Sequence, residues 1–242
     1  MTKASAHPNK IRQQCRWHPY DTTSSLEHAA VQAIFNASQK AISQRGAFHL
    51  VLAGGTTPRH VYELLRSNIT DWRKWHIYFG DERCLPADHA ERNSLMAAHA
   101  LLEHVNIPAS HIHFIPAELG AEIAASRYAQ VLNNIDIFDL VILGLGEDGH
   151  TASLFPRHEW GTTPDAPATL AVFDAPKPPP ERVSLSARRL GLTRQLIFLA
   201  SGMAKKQAII DWHKGENIPA SAITPQCGVD IFLESQLLEV AK

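Results

Sequence analysis

Asp139-Leu140-Val141-Ile142-Leu143-Gly144-Leu145-Gly146-Glu147-Asp148-Gly149-His150 decides how the rest of the chain is read. Its first half is almost wholly apolar, the pattern of a central strand buried on both faces, as in a parallel sheet covered by helices. It then turns abruptly to glycines and charge. In open α/β sheets, ligands bind beyond the carboxyl ends of the strands, so His150 falls where such folds keep their chemistry. An Asp-Gly pair alone is an ordinary turn signal. Beside Asp148 and three glycines, however, His150 is a candidate general base, because imidazole changes charge most readily near neutral pH.

Working outward, strand and helix patterns alternate. Ser24 with Glu27 offers a capping box, and Ala30, Ile34, Ala37 and Ile42 follow at helical spacing, predicting a helix over 24–44. The apolar run 48–53 leads into Gly54-Gly55-Thr56-Thr57-Pro58, where Thr57 can cap and Pro58 can occupy the first turn of a helix to Leu65. Next come a strand over 76–80, a polar loop over 81–92, a helix over 94–104, a strand over 112–115, a helix over 119–132 and the strand 138–144. Beyond the proline-rich stretch, strands are predicted over 183–187, 196–200 and 229–233, with a helix over 204–213. Such alternation implies a Rossmann-like, three-layer α/β/α sandwich with a mostly parallel central sheet, read as one domain over 1–242. Residues 156–181, rich in proline and holding one strand at 169–173, form a stiff flap or connection.

The composition removes several function classes. With 23 Lys and Arg against 24 Asp and Glu, the net charge is −1, without the broad basic field of a nucleic-acid or anionic-membrane binder. Cys15, Cys84 and Cys227 are scattered and odd in number, which argues against a disulfide framework or structural zinc and fits a reducing compartment. The polar Met1–Gln14 stretch lacks a signal-peptide core, and no apolar run approaches the ~20 residues needed to span a bilayer. A cytoplasmic location is expected. Fourteen histidines are present, yet none is spaced as His-x-x-x-His or His-Glu-x-x-His with a third ligand, so no metal is expected.

Three further loops qualify as site elements. Gly54, Gly55, Thr56 and Thr57, between a strand and a helix start, can surround a phosphate with amides and hydroxyls, although neither the dinucleotide fingerprint nor the P-loop lysine is present. Gly80-Asp81-Glu82-Arg83 places charge at a strand end, where its ordinary reading is a solvated loop. Arg182 and Lys205 supply cations beside later strands, at what the pattern suggests are equivalent edges.

Together the Asp148–Pro156 run, Gly80–Arg83, Gly54–Arg59 and Gly202-x-x-Lys205 resemble the bacterial 6-phosphogluconolactonases, in that family's order from about Trp17 to Trp212. The resemblance implies the fold shared with glucosamine-6-phosphate deaminases and ribose-5-phosphate isomerases. It also implies hydrolysis of 6-phosphogluconolactone, the second step of the oxidative pentose phosphate pathway, with no cofactor. The partner is then a small phosphorylated lactone supplied by glucose-6-phosphate dehydrogenase, with neither nucleic acid nor membrane involved, and the protein a monomer or weak homodimer.

Deaminases share the glycine loop and Asp-Gly-His. They differ in having Tyr where Arg83 stands, and an Asn-Glu-Pro ending, with a ring-opening carboxylate, where this chain has Leu154-Phe155-Pro156. Cys84, where lactonases often carry an aromatic, and Thr56 are mild departures. The expected roles are general base for His150; orientation of the imidazole or binding of sugar hydroxyls for Asp148 and Asp81; and phosphate contact for Gly54–Thr57, Arg182 and Lys205, with Arg83 joining them or facing the oxyanion. A Ser153 nucleophile is disfavoured because no Gly-x-Ser-x-Gly elbow exists. A sensor without turnover would need a DNA-binding segment, for which the residues before Trp17 are too few.

Overall fold

The run 140–143 lies at the centre of the molecule because nothing in it needs water: Leu140, Val141, Ile142 and Leu143 are all buried. The computed structural model describes residues 13–238. Its strands are β1 (Cys15–Tyr20), β2 (Phe48–Leu52), β3 (Trp75–Phe79), β4 (Asp81–Arg83), β5 (Leu140–Gly144), β6 (Thr169–Val172), β7 (Arg182–Leu185), β8 (Leu196–Ala200) and β9 (Val229–Glu234). Helices α1 (Thr23–Arg45), α2 (Thr56–Leu65), α3 (Asn93–Ala100), α4 (Ala121–Leu132), α5 (Ala187–Gly191), α6 (Lys206–Lys214) and α7 (Ser235–Leu238) flank them.

Six strands form one sheet in the order β1-β9-β8-β5-β2-β3, every pair parallel. This is the α/β architecture expected from the alternation. Between β2 and β5 the order reverses: the chain moves outward from β2 to β3, then returns to the other side of β2 and proceeds through β5, β8 and β9. Such a reversal in strand order is where open α/β folds place ligand sites, here beyond the carboxyl ends of β2 and β5.

Several local expectations are corrected. Helix α1 is capped by Thr22, whose side chain accepts from Ser25 N in a reciprocal box with Ser25, so Ser24 and Glu27 are not its cap. Glu27 instead turns inward to pair with His60 at 3.0 Å. Helix α2 starts from Gly55, at φ 111° and without a side-chain cap, so Thr57 does not cap it. The segment 112–115 makes only a single bridge, Ile112 to Ile77, and is not a strand. Strand β1 was not expected from its sequence.

The largest correction concerns 81–92. It opens with β4 rather than a polar loop, and β4 joins a separate antiparallel sheet, β4-β7-β6, in which Asp81 faces Ser184 and Arg83 faces Arg182. Arg182 is therefore not at an edge equivalent to the main-sheet loops. It reaches the same region from a small sheet laid beside it, tied through Leu185 N to the Gly80 carbonyl at 2.8 Å.

Candidate active site

Four loops follow the carboxyl ends of β8, β5, β2 and β3, which are neighbours in the sheet. They carry Lys205, the 145–150 turn and the Gly54–Thr57 loop, and after β3 the single residue Gly80 leads into Asp81 at the start of β4. The sheet thus gathers residues far apart in sequence at one end.

The 146–150 turn folds tightly because its glycines allow it. Gly149 N donates to Gly146 O at 3.1 Å, and Gly146 N donates to His150 O at 2.7 Å, while Gly149 sits at φ 81°. This closure lays the imidazole against Gly146, where an added Cβ would overlap the ring at Nδ1. Thr151, buried, anchors the turn by donating its hydroxyl to Gly144 O at 2.8 Å. Asp148 Oδ1 lies 2.5 Å from His150 Nδ1. With Nδ1–H donated to the carboxylate, Nε2 keeps its lone pair. Burial lowers the His150 pKa by more than Asp148 raises it, so the ring is neutral at pH 7. Burial of Asp148 acts upward, but its bond to His150 prevails and holds the carboxyl below its ordinary value. Under the imidazole lies Phe155, its ring centroid 4.8 Å away.

Of the two carboxylates expected near the imidazole, Asp148 alone holds it. Asp81 is only 6% exposed and its oxygens are committed: Oδ1 accepts from Asn93 Nδ2 at 3.0 Å and Oδ2 from Ser153 Oγ at 2.6 Å. The same contact makes the Ser153 hydroxyl a donor to a carboxylate. Asn93 also donates to the Asp81 carbonyl at 3.0 Å and packs on Gly54, where a Cβ would overlap its amide. It therefore joins the glycine loop to Asp81.

Glu82 is structural. It receives the backbone N–H groups of Asn93 and Ser94, each at 2.8 Å, and so caps α3. Arg92 lies 3.2 Å from it and also donates to the carbonyls of Leu85 and Ile115. Asn93 and Arg92 were missed in the sequence; the polar run Glu91-Arg92-Asn93-Ser94 next to a helix start was the available signal.

The cations are arranged unequally. Arg83 donates through Nη1 to the Glu91 carbonyl, and its Nε has no hydrogen-bond partner among the described residues. Lys205 ends a short 3₁₀ turn after Gly202, its pKa lowered by burial against the opposing pull of Glu147. Arg182 is buried, and desolvation lowers its pKa. Its Nε and Nη2 are given to the carbonyls of Pro179, Lys177 and Pro178 at 3.0–3.2 Å. Cys84, next to Arg83, has its thiol pushed up to about 11 by burial, which leaves it unreactive at neutral pH.

Among the described residues no group of three or more His, Cys, Asp or Glu is arranged to hold a metal, and no helix is long and apolar enough to cross a membrane. A cleft of about 1070 Å³ lined by Trp17, Trp160 and Trp212 contains none of the residues above.

Residues 21–232 match the model of the glucosamine-6-phosphate isomerase/6-phosphogluconolactonase family. The chain belongs to that family. A 6-phosphogluconolactonase from Synechocystis is 35% identical over 224 residues, covering 87% of this chain and 92% of the relative. A probable chloroplastic 6-phosphogluconolactonase of rice is 31% identical over 235 residues, covering 87% and 71%. The crystal structure of the 6-phosphogluconolactonase from Thermotoga maritima superposes with a TM-score of 0.84 at 26% identity, covering 92% of this chain and all of that one.

Phe155 is fully buried, with the imidazole of His150 on it and the guanidinium carbon of Arg182 5.4 Å from its centroid. A carboxylate there would sit between a base and a buried cation; the phenyl ring supplies shape and no proton.

Proposed function

We propose that the chain is a 6-phosphogluconolactonase, hydrolysing 6-phosphoglucono-1,5-lactone to 6-phosphogluconate in the oxidative pentose phosphate pathway. The observation that carries this reading is the His150–Asp148 pair seated on Phe155. It provides a neutral, oriented base and no group able to open a sugar ring. Deamination of an amino sugar needs ring opening, whereas an activated lactone carbonyl needs only water, orientation and a place for its negative charge.

His150 Nε2 removes a proton from water as the water oxygen attacks C1. The carbonyl π electrons move to oxygen and form a tetrahedral oxyanion; the imidazolium is stabilised by Asp148. On collapse the bond from C1 to the ring oxygen breaks, and that oxygen takes the proton from Nε2 to become the C5 hydroxyl. The acid formed ionises in water. The substrate phosphate is met by the amides and hydroxyls of Gly54–Thr57 at the start of α2 and by Lys205, with Arg83 and Arg182 as flanking cations. Asp81, locked by Asn93 and Ser153, sets the floor between the glycine loop and the base. Scattered thiols and a near-neutral charge favour a cytoplasmic setting.

The test is a coupled assay in which glucose-6-phosphate dehydrogenase forms the lactone in situ at slightly acidic pH, where spontaneous opening is slow. Catalysed hydrolysis is expected, falling by about 10²–10⁴ in His150→Ala. Ammonia release from glucosamine 6-phosphate without lactone hydrolysis would overturn the reading.

A further inference from the structure

Strand β9 ends on a buried carboxylate, Glu234. Its neighbour Leu233 pairs with Ala200 in β8, and Glu234 itself pairs with Tyr20 at the end of β1, shortly before α1 begins at Thr23. The residue therefore stands between the chain leaving β8 and the chain entering α1. Burying a carboxylate is costly unless its oxygens are met, and here both are. Oε1 accepts from the Thr23 hydroxyl, while Oε2 accepts from Gly202 N at 2.8 Å and from Gln236 Nε2 at 3.2 Å. Thr23 Oγ1 also lies 3.2 Å from Ser201 Oγ and, its own proton being given to Glu234, accepts there. Burial pushes the Glu234 carboxyl up, but the bonds from Thr23, Gly202 and Gln236 outweigh it and hold it below its ordinary value. Glu234 is thus an anion at neutral pH that no step of the lactone chemistry uses.

What it grips is the turn 202–205. Gly202, Met203 and Ala204 are exposed, and an added Cβ at Gly202 would meet nothing within 4 Å, so packing does not wedge the start of the turn in place. The backbone leaves β8 at φ 89° and ψ 140°, a conformation open to glycine and few others, and closes through Lys205 N donating to Gly202 O at 3.0 Å. Among the described residues, the bond from Gly202 N to Glu234 is the hydrogen bond that ties this turn to the sheet. Lys205 forms no ion pair among the described residues, with Glu234 or with any other carboxylate. The anion therefore acts on the backbone of the turn and does not compete for the ammonium at its end.

We infer that Glu234 is a positioning residue, which through Gly202 N sets the turn that carries Lys205 and so sets where that ammonium meets the substrate phosphate. This rests on the reading that Lys205 contacts the phosphate. Glu234 touches no substrate itself. The strand order makes the arrangement possible, because β9 lies next to β8, and β8 next to β5, whose loop holds His150.

The experiment compares Glu234→Ala, Glu234→Met and Glu234→Gln with the parent enzyme, with Lys205→Ala, and with the double variant Glu234→Met, Lys205→Ala. It measures kcat and KM for the phosphorylated lactone, the inhibition constant of 6-phosphogluconate, and Tm. Met keeps the length of the side chain while removing its acceptors, so it gives a reading should Ala prove too unstable to purify. Ala and Met should each raise KM and the inhibition constant roughly tenfold with kcat nearly unchanged, the mark of lost binding common to ground and transition states. Gln should stay near the parent, because its oxygen can still receive Gly202 N while its amide turns to the Thr23 hydroxyl, which can accept. In the double variant Glu234→Met should add nothing to the KM of Lys205→Ala, since both act on one contact, whereas a purely structural carboxylate would add its loss in full. An unchanged KM in both Ala and Met, a fall in kcat as large as the change in KM, or additive losses in the double variant would overturn the assignment. Lys205→Ala reports separately: an unmoved KM there sinks the phosphate reading and this inference with it, while a raised KM beside unaffected Glu234 variants sinks this inference alone. Absence of turnover in the parent sinks the lactonase reading itself.

Discussion

At the scale of single residues, the site depends on what is missing as much as on what is present. Gly146 has no Cβ, and the imidazole of His150 fills the space one would take. Gly146→Ala should therefore displace the ring and break its 2.5 Å contact with Asp148, lowering kcat by about 10²–10⁴, the range associated with losing a general base. Because the strain is relieved by moving a partly exposed side chain, Tm should change little; steady-state rates beside a thermal melt check both halves. His150, Asp148 and the glycines were legible in the sequence because turn chemistry and catalytic residue types coincide there. The division of labour between Asp148 and Asp81 was not. Both are carboxylates after a strand, and only the fold shows that Asn93 and Ser153 have already claimed Asp81.

At the scale of elements, the sequence misled where charge is buried. Asp81-Glu82-Arg83 reads as a solvated loop by residue type, yet Asp81 and Glu82 are buried in β4. Glu82 is accommodated because it caps α3 and meets Arg92, which is itself 3% exposed. Removing one member of such a buried pair leaves the other uncompensated, so Glu82→Ala should destabilise the protein by about 3–5 kcal/mol in chemical denaturation. The converse holds over 112–115, where alternating His111, Ile112 and His113 suggest a strand that does not form. The segment does lie alongside β3, but its histidines serve a stack instead: His76 is 3.9 Å from His111 by ring centroids, and His113 is 4.5 Å from Tyr78.

That stack has a pH signature. Burial depresses His49, His76 and His113, with His76 lowered to about 4. The unfolded chain binds protons from about pH 6.5 downward, whereas the folded stack resists them. Stability should thus be full above about 6.5 and decline as pH falls toward 4. Urea midpoints across that range should show the decline, and His76→Phe should flatten it while keeping a ring in the stack. No dependence between pH 7 and 5 would contradict this account. The stacked rings lie near the amino ends of β2 and β3, away from the 146–150 turn, so the effect should fall on stability and not on turnover.

At the scale of the whole molecule, the alternation of strands and helices made the parallel sheet legible, and its central strands were placed within a residue or two. Strand β1 escaped because Cys15-Arg16-Trp17-His18-Pro19-Tyr20 is polar and contains a proline, as an edge strand tolerates and a central one does not. Order in the sheet was also hidden, since it depends on which strands meet and not on what each contains. The reversal between β2 and β5 exists only because of that order. A chain ending before Val229 loses β9, leaving β8 with an open edge and β1 with no neighbour. It should partition into the insoluble fraction on expression, even though every residue assigned to the chemistry remains.

The pairing of first strand with last has a consequence for synthesis. Arg16 meets Asp230 at 2.7 Å across a separation of 214 residues. At typical elongation rates of about 5–20 residues per second, roughly 10–40 s pass between emergence of the two from the ribosome. During that interval β1 waits unpaired while the 146–150 turn and most of the sheet are already made. Strand β1 is thus the last part of the sheet to be locked, and the stretch from Gln13 to Tyr20 is where a chaperone would find an open strand.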